Sequence, residues 1–431
     1  MSSRERVSHV VRRLSMGVQP DLVRDLDDTD AALTAALDLS AGAPAPLDFP
    51  PPPDYEAARN VSAIGEPIAW WLGRMQSDER LVEERLVWFW HDHFATSLAK
   101  VRTPYLMWQQ HLTLRQHATG SYADLLKAVS RDPAMLIYLD GVTNTAQQRN
   151  ENFGREVLEL FTMGRDGGYT QDDVVAASRA FTGWTVNIPR PAATRSVPTQ
   201  GAPWAAAYVP RRHDAGMKAL LGKSGAYDMD GALDVILAHP STAKFVTAKL
   251  YRELVGLTPD DATVDRLAKA FRRDYAILPL VESIVNERAF TSDDAVRAKY
   301  RNPIEKLVGI MQATGTTSVS LGPVRPGGLR QARAGGVTTA LRTMSFLPFL
   351  PPNVGGYPEG AHLLGPGNLM HSFDLLQATT APPIKKESVD DLFARLGIFD
   401  VSDQSREVVK KQNDPAMRLA LAVTSPEYTL V

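Results

Sequence analysis

Three clusters of titratable side chains in this 431-residue sequence have types and spacings suited to chemistry. The first is His91-Asp92-His93, in the aromatic run Trp88 to Phe94, where an imidazole could move a proton or ligate a metal. Residues two apart on a helix point about 200° away from each other, so the two histidines cannot chelate one ion while the helix continues. One of them could act, with Glu84 or Trp88 on the His91 side. The plainer reading of a histidine among tryptophans is a hydrogen-bonded core residue. The second cluster is Asn152, Arg155, Glu156 and Glu159. Glu156 and Glu159 lie one helical turn apart, and such a pair can share a proton or bind a divalent cation. With a histidine they suggest a mononuclear metal site drawn from His91, His93, Glu156 and Glu159, although the Glu-x-x-His motif of di-iron bundles is absent. The i,i+4 pairs Glu151–Arg155 and Arg155–Glu159 suit an ordinary solvated face or a polar seam equally well. The third cluster is His213-Asp214 with Lys218, which could supply a general base or an anion clamp; Asp214 as a simple helix N-cap is the alternative.

The elements needed to hold these groups are helical. Around the second cluster, Val157, Leu160 and Phe161 form an apolar stripe while Asn152, Glu156 and Glu159 fall at i, i+4 and i+7 on another side. Gly164 ends that helix, and Thr170 caps the next one with Asp172 and Asp173 near its positive end. Around the first cluster, Leu81, Arg85, Trp88 and Asp92 share one side, while Leu86, Phe89 and His93 share another. Trp70, Trp71, Trp88 and Trp90 make either an aromatic core or the wall of a pocket.

Further helices are expected at 21–26, 29–39, 103–117, 121–130, 133–139, 231–238, 241–255, 262–272, 277–286 and 303–314. The proline-rich 42–54 stretch cannot be helical and reads as an extended strap. Residues 187–212 lack a helical period, and 321–336 are glycine-rich with Arg325, Arg330 and Arg333. Residues 349–360 must form a rigid loop, because half of them are proline or glycine. The expected fold is all-α, a multi-helix, bundle-like body with long Pro/Gly-rich loops. Its segments would be N-terminal helices over 1–41, a linker over 42–54, a main helical domain over 55–382 and C-terminal helices over 383–431.

Composition narrows the functional classes. Forty-seven basic against 49 acidic residues give a net charge of −2, which argues against a general nucleic-acid binder. Without cysteine, thiolate nucleophiles, disulfides and Cys-ligated zinc are excluded. No run of about 18 apolar residues is present, so no membrane span is expected. Residues 1–17 contain no apolar stretch of about seven or more, so no secretory signal is visible and a cytoplasmic location is the default expectation. Gly-x-Ser-x-Gly, P-loop, Rossmann and His-Glu-x-x-His motifs are all missing.

The run 150–164, Tyr169-Thr170 and Arg179-Ala-Phe-Thr-Gly-Trp184 together resemble the signature of a bacterial family known as domain of unknown function 1800. Phe89-Trp-His-Asp-His-Phe94, Arg212-His-Asp214 with Lys218, Lys244-Phe245 with Lys249-Leu-Tyr251, Asn302-Pro303 and Pro351-Pro-Asn-Val-Gly-Gly356 with Gly360 extend the likeness over nearly the whole chain. Arg149 and Gly154 stand where that family usually has proline and alanine, and Tyr357 where it often has tryptophan. The resemblance implies frequent neighbourhood with a sulfatase-like hydrolase family, hence a protein partner of that class and export with a signal-bearing partner as the alternative location. Two functions follow. One is an enzyme whose pocket collects His91 or His93, Asn152, Arg155, Glu156, Glu159 and His213-Asp214, with or without a divalent metal ion. The other is a non-catalytic scaffold or assembly partner. The enzyme reading expects Glu156, His213 and one of the two histidines to converge under the Pro351–Gly360 loop.

Overall fold

The computed structural model describes residues 1–189, 201–316, 336–378 and 387–431. The fold is mostly helical, as its periodicity requires. Among the described residues the only sheets are two antiparallel pairs, Trp184–Val186 with Ala206–Tyr208 and Lys218–Leu220 with Lys223–Gly225. These short pairs lie after Trp184, where a stretch without helical period was expected, and the mostly helical fold agrees with the all-α expectation. Each strand has three residues, too few for a period-2 signal to emerge from the sequence. The basic 321–335 stretch lies outside the described residues.

The helix Leu81–His93 runs through the centre, and twelve of its thirteen residues are buried; Asp92 alone is half-buried. A helix apolar on nearly all sides must be surrounded. Around it pack Gly65–Gln76, Pro104–His117 and the N-terminal helix Ser3–Leu14, the last with nine of twelve residues buried. Pro240–Val255 and Pro303–Thr314 approach its Arg85 side. The aromatic residues divide by depth. Trp71, Trp90 and Trp108 are fully enclosed, with Trp90 donating Nε1–H to the Ala118 carbonyl at 3.0 Å.

Charged groups in this interior are paired across elements. Arg85, 2% exposed, donates Nη1 to Glu305 and, at 3.2 Å, to Glu253, while Nη2 reaches the Arg12 and Ser15 carbonyls. Arg12 in turn holds Glu5 at 2.8 Å and the Gly397 carbonyl. Four helices distant in sequence are thereby fixed to one another. The C-terminal helices form a smaller apolar cluster around Phe393, Leu419 and Tyr428, packed on Val18 and Ile310. Backbone hydrogen bonds between Lys299 and Val431 in both directions tie the chain end to the body.

The proline-rich strap is also anchored. Arg80 donates to the carbonyls of Leu39 and Ala41 at 2.7 Å each, and buried Trp204 donates Nε1–H to the Pro52 carbonyl at 3.1 Å.

Candidate functional site

The Leu81–His93 helix presents its last turn in three directions, and each aims one member of His91-Asp92-His93 into different surroundings. His91 enters a cage formed by Trp71, Trp88, His111, Phe349 and Tyr357. Its Nε2 accepts the Phe349 N–H at 3.1 Å, which leaves the proton on Nδ1, and burial pushes its pKa down to about 3. His93 faces the other way. Its Nε2 meets the Phe161 carbonyl at 2.9 Å, and burial, then the Lys249 charge, push its pKa well down, so the neutral ring donates there.

Phe161 belongs to a π-helical turn, Val157–Thr162, that continues the short helix Asn152–Glu156. A single α-helix was the expectation across this run. The wider turn displaces the carbonyls from their usual partners, and His93 and Tyr122 both donate to the Phe161 oxygen. The two histidines are thus ties, one to the 345–357 loop and one to the π-turn. Each has its Nε2 engaged with backbone.

Glu156 and Glu159 stay together but away from the histidines. Glu159 accepts from Arg165 Nε at 2.8 Å, and Arg155 bridges Glu151 at 3.1 Å and Gln171 at 2.9 Å, as an exposed ion pair would. Asn152 opens this helix, its N–H held by Asn150 Oδ1 at 2.9 Å. Burial, then repulsion from Glu159, raise the Glu156 pKa. Among the described residues no three His, Asp or Glu side chains gather as a metal site, so His91, His93, Glu156 and Glu159 do not form one set. Since a raised carboxyl pKa means the ionised form destabilises the fold, Glu156→Gln is expected to hold or raise the melting temperature at pH 7. That gain should vanish below about pH 4, where Glu156 is protonated folded or unfolded. A lower melting temperature at pH 7 would contradict it.

His213, Asp214 and Lys218 form a clamp on the β-hairpin. Arg179 grips Asp214 with two nitrogens, at 2.7 and 3.1 Å, and this bond lowers the Asp214 pKa to about 2. Lys218, 1% exposed, donates Nζ to the Asp214 and Gly216 carbonyls, and His213 Nδ1 lies 3.1 Å from the Thr182 carbonyl. Asp214 anchors a turn rather than capping a helix.

The cleft lies on the third side, where Asp92 points. It encloses about 300 Å³ between Trp88, Phe89 and Asp92 of the central helix, Lys249, Arg252 and Glu253 of Pro240–Val255, residues 298–302, and the wall Phe346 with Tyr357 to Gly360. None of His91, His93, Glu156 and His213 lines it. Of the 349–360 loop, Tyr357 to Gly360 border this cleft, which is not the Glu156–His213 site the loop was expected to roof. Tyr357 is sandwiched between the rings of Trp88, 5.1 Å away, and Phe346, 5.3 Å away, and its hydroxyl donates to the Leu347 carbonyl at 3.0 Å. Its N–H donates to Asp92 Oδ1 at 2.7 Å. Gly356, at φ +99°, makes that approach feasible, because a Cβ there would overlap Asp92 Oδ1. On the opposite wall, Gly256 at φ +82° lies against the buried Arg13 guanidinium, 2.5 Å from where a Cβ would stand.

Asp92 is the perturbed acid of this cleft. Burial raises its pKa to about 6; Lys249 and the Tyr357 N–H oppose the rise, while Glu359 and Glu253 add to it. Glu253 is already neutralised by Lys299 at 2.6 Å and Arg85 at 3.2 Å. Lys249 is half-buried and makes no side-chain hydrogen bond or ion pair with any described residue. The sequence did contain a pointer, since Arg85, Trp88 and Asp92 share a helix side.

The family model described as protein of unknown function (DUF1800) matches residues 9–430. The chain belongs to the DUF1800 family. No curated protein and no solved structure matches it. Residues that carried the resemblance, Phe89, Asp92, Lys249, Asn302 and Gly360, meet at the cleft from four separated parts of the chain. Among the described residues, no helix is long and apolar enough to cross a membrane.

Proposed function

We propose that this DUF1800 protein is an enzyme whose active site is the Asp92 cleft, with Asp92 as general acid and base and Lys249 as the charge that binds the substrate. The observation that carries this reading is the raised Asp92 pKa inside an aromatic-walled cavity, opposite a Lys249 ammonium that makes no hydrogen bond or ion pair with any described residue. A carboxyl with a pKa of about 6 exists in both protonation states near neutral pH, which is what reversible proton transfer requires. Trp88, Tyr357 and Phe346 exclude water from one wall, and the Tyr357 N–H orients the carboxyl by holding Oδ1, leaving Oδ2 for a substrate. The four residues singled out for a metal do not enter this mechanism.

The second reading, a scaffold or assembly partner for a sulfatase-like hydrolase, draws on a specific observation too. His91, His93, Lys218 and the Arg179–Asp214 pair all serve to tie elements together.

Purified protein and Asp92→Asn, each incubated with a bacterial small-molecule extract and compared by mass spectrometry, separate the two. Asn retains the acceptor for the Tyr357 N–H. Because the raised folded-state pKa makes ionised Asp92 unfavourable above about pH 6, the variant should be at least as stable there. The enzyme reading expects compounds that change mass with the wild type and stay unchanged with Asp92→Asn. Identical conversion by both proteins, or none by either, would favour the scaffold.

A further inference from the structure

Building on the Asp92 cleft as the ligand site, we propose that its ligand is an organic carboxylate, with the anionic head on Lys249 and an apolar body along Trp88, Phe89, Phe346, Leu257 and Leu363.

The charges lining the cleft are largely committed to one another, and the remainder has a sign. Glu253 and Lys299 neutralise each other at 2.6 Å. Asn302 is occupied as a helix cap, its Oδ1 accepting the Glu305 N–H at 2.9 Å. Asp92 carries the Tyr357 N–H on one oxygen, and burial raises its pKa to about 6 against the Lys249 charge. Glu359 is exposed at the rim, as is Arg252, whose guanidinium makes no hydrogen bond or ion pair with a described residue. Lys249 remains as the half-buried cation on the wall that makes no hydrogen bond or ion pair with a described residue, while its charge acts on Asp92 across the cleft. A bound anion would supply that ammonium with the charge-assisted hydrogen bonds that the described residues do not give it.

The anion's size and charge follow from the same residues. One lysine supplies a point charge and three donors, enough for a monoanionic head; of the other cations on the wall, Lys299 is held by Glu253 at 2.6 Å and Arg252 is exposed at the rim, so neither joins Lys249 in the interior as a phosphate dianion would require. Trp88, Phe89, Leu257, Phe346 and Leu363 supply an apolar share of the wall, against which the body of the ligand would lie. A carboxylate on Lys249 would sit beside Asp92, where the protonated form of Asp92 can donate its O–H and the ionised form would repel it. Affinity should therefore fall as the pH rises above about 6. The other charged or titratable groups facing Asp92 are Lys249 and Glu253 from Pro240–Val255, and Glu359 and Tyr357 from the loop; His91 and His93 flank it on its own helix.

Calorimetric titration with 2-naphthoate and its neutral isostere 2-naphthamide tests this on the full chain. The wild type should bind the acid more tightly than the amide. Lys249→Met should weaken the acid by about tenfold or more, the worth of one charge-assisted hydrogen bond, and leave the amide unaffected. Lys249→Arg should recover part of the affinity, which guards against a merely misfolded Met variant. Asp92→Asn should bind the acid at least as well as the wild type at pH 8, with the pH dependence gone. Equal binding of acid and amide, an unaltered affinity in Lys249→Met, or no binding of either probe up to millimolar concentration would overturn the carboxylate assignment. Conversion that depends on Asp92 in the extract experiment would survive that failure, so the two readings are tested separately.

Discussion

Arg85→Ala should destabilise the protein by about 3–5 kcal/mol, the usual consequence of removing one partner from a buried ion pair. Arg85 and Glu305 are each 2% exposed, and Arg85 also reaches Glu253 and two backbone carbonyls of the N-terminal segment. Alanine would leave Glu305 buried with Lys299 as its main remaining counter-charge. Urea unfolding with an unchanged m-value measures the loss, and a difference under about 1 kcal/mol would contradict the network's assigned role. The charge is the cause, so Arg85→Met combined with Glu305→Gln should recover much of the stability. The network has a pH signature as well. Although burial works against it, the Arg85 and Lys299 charges lower the Glu305 pKa to about 2. A depressed folded-state pKa stabilises above the unfolded value of about 4.3, and that contribution is lost as the pH falls toward 2.

Trp90→Ala should likewise lower stability by about 3–5 kcal/mol, because it empties a fully enclosed ring site and orphans the Ala118 carbonyl. The Trp90 ring lies 5.6 Å from both His93 and Tyr122, so the π-turn that these two residues support should loosen with it. Thermal unfolding with hydrogen exchange at residues 157–163 gives both readouts. Loss of less than about 1 kcal/mol, or unchanged exchange at that turn, would contradict the packing described. Trp88→Ala should cost less, since that ring borders the cleft and water can fill part of the space.

The helical body was legible because its signals are local. Thr170 and Asn302 both form capping boxes, and Pro104, Pro133, Pro240 and Pro303 each open a helix. The three-residue strands and the π-turn were not legible, as neither has a period long enough to register. The site was legible in part. The cleft takes Tyr357 to Gly360 from the expected loop and Trp88, Phe89 and Asp92 from the aromatic block, but not the histidines, Glu156 or His213 that the spacing had grouped. Both imidazoles are engaged by backbone atoms that lie 68 and 258 residues away, a distance over which sequence spacing carries no information. Lys249 stands out only once its neighbours Glu253 and Lys299 are seen to be paired with each other.

The most direct measurement of the central claim is the titration of the Asp92 carboxyl itself, by carbon NMR on aspartate-labelled protein with Asp92→Asn supplying the assignment. A midpoint near 6 is expected, and a higher one in Lys249→Met, where a charge that holds the pKa down has been removed. A midpoint at about 4 or below, the ordinary range for a solvated aspartate, would contradict the assignment of Asp92 as the acid of the cleft. So would a midpoint unmoved by the loss of Lys249.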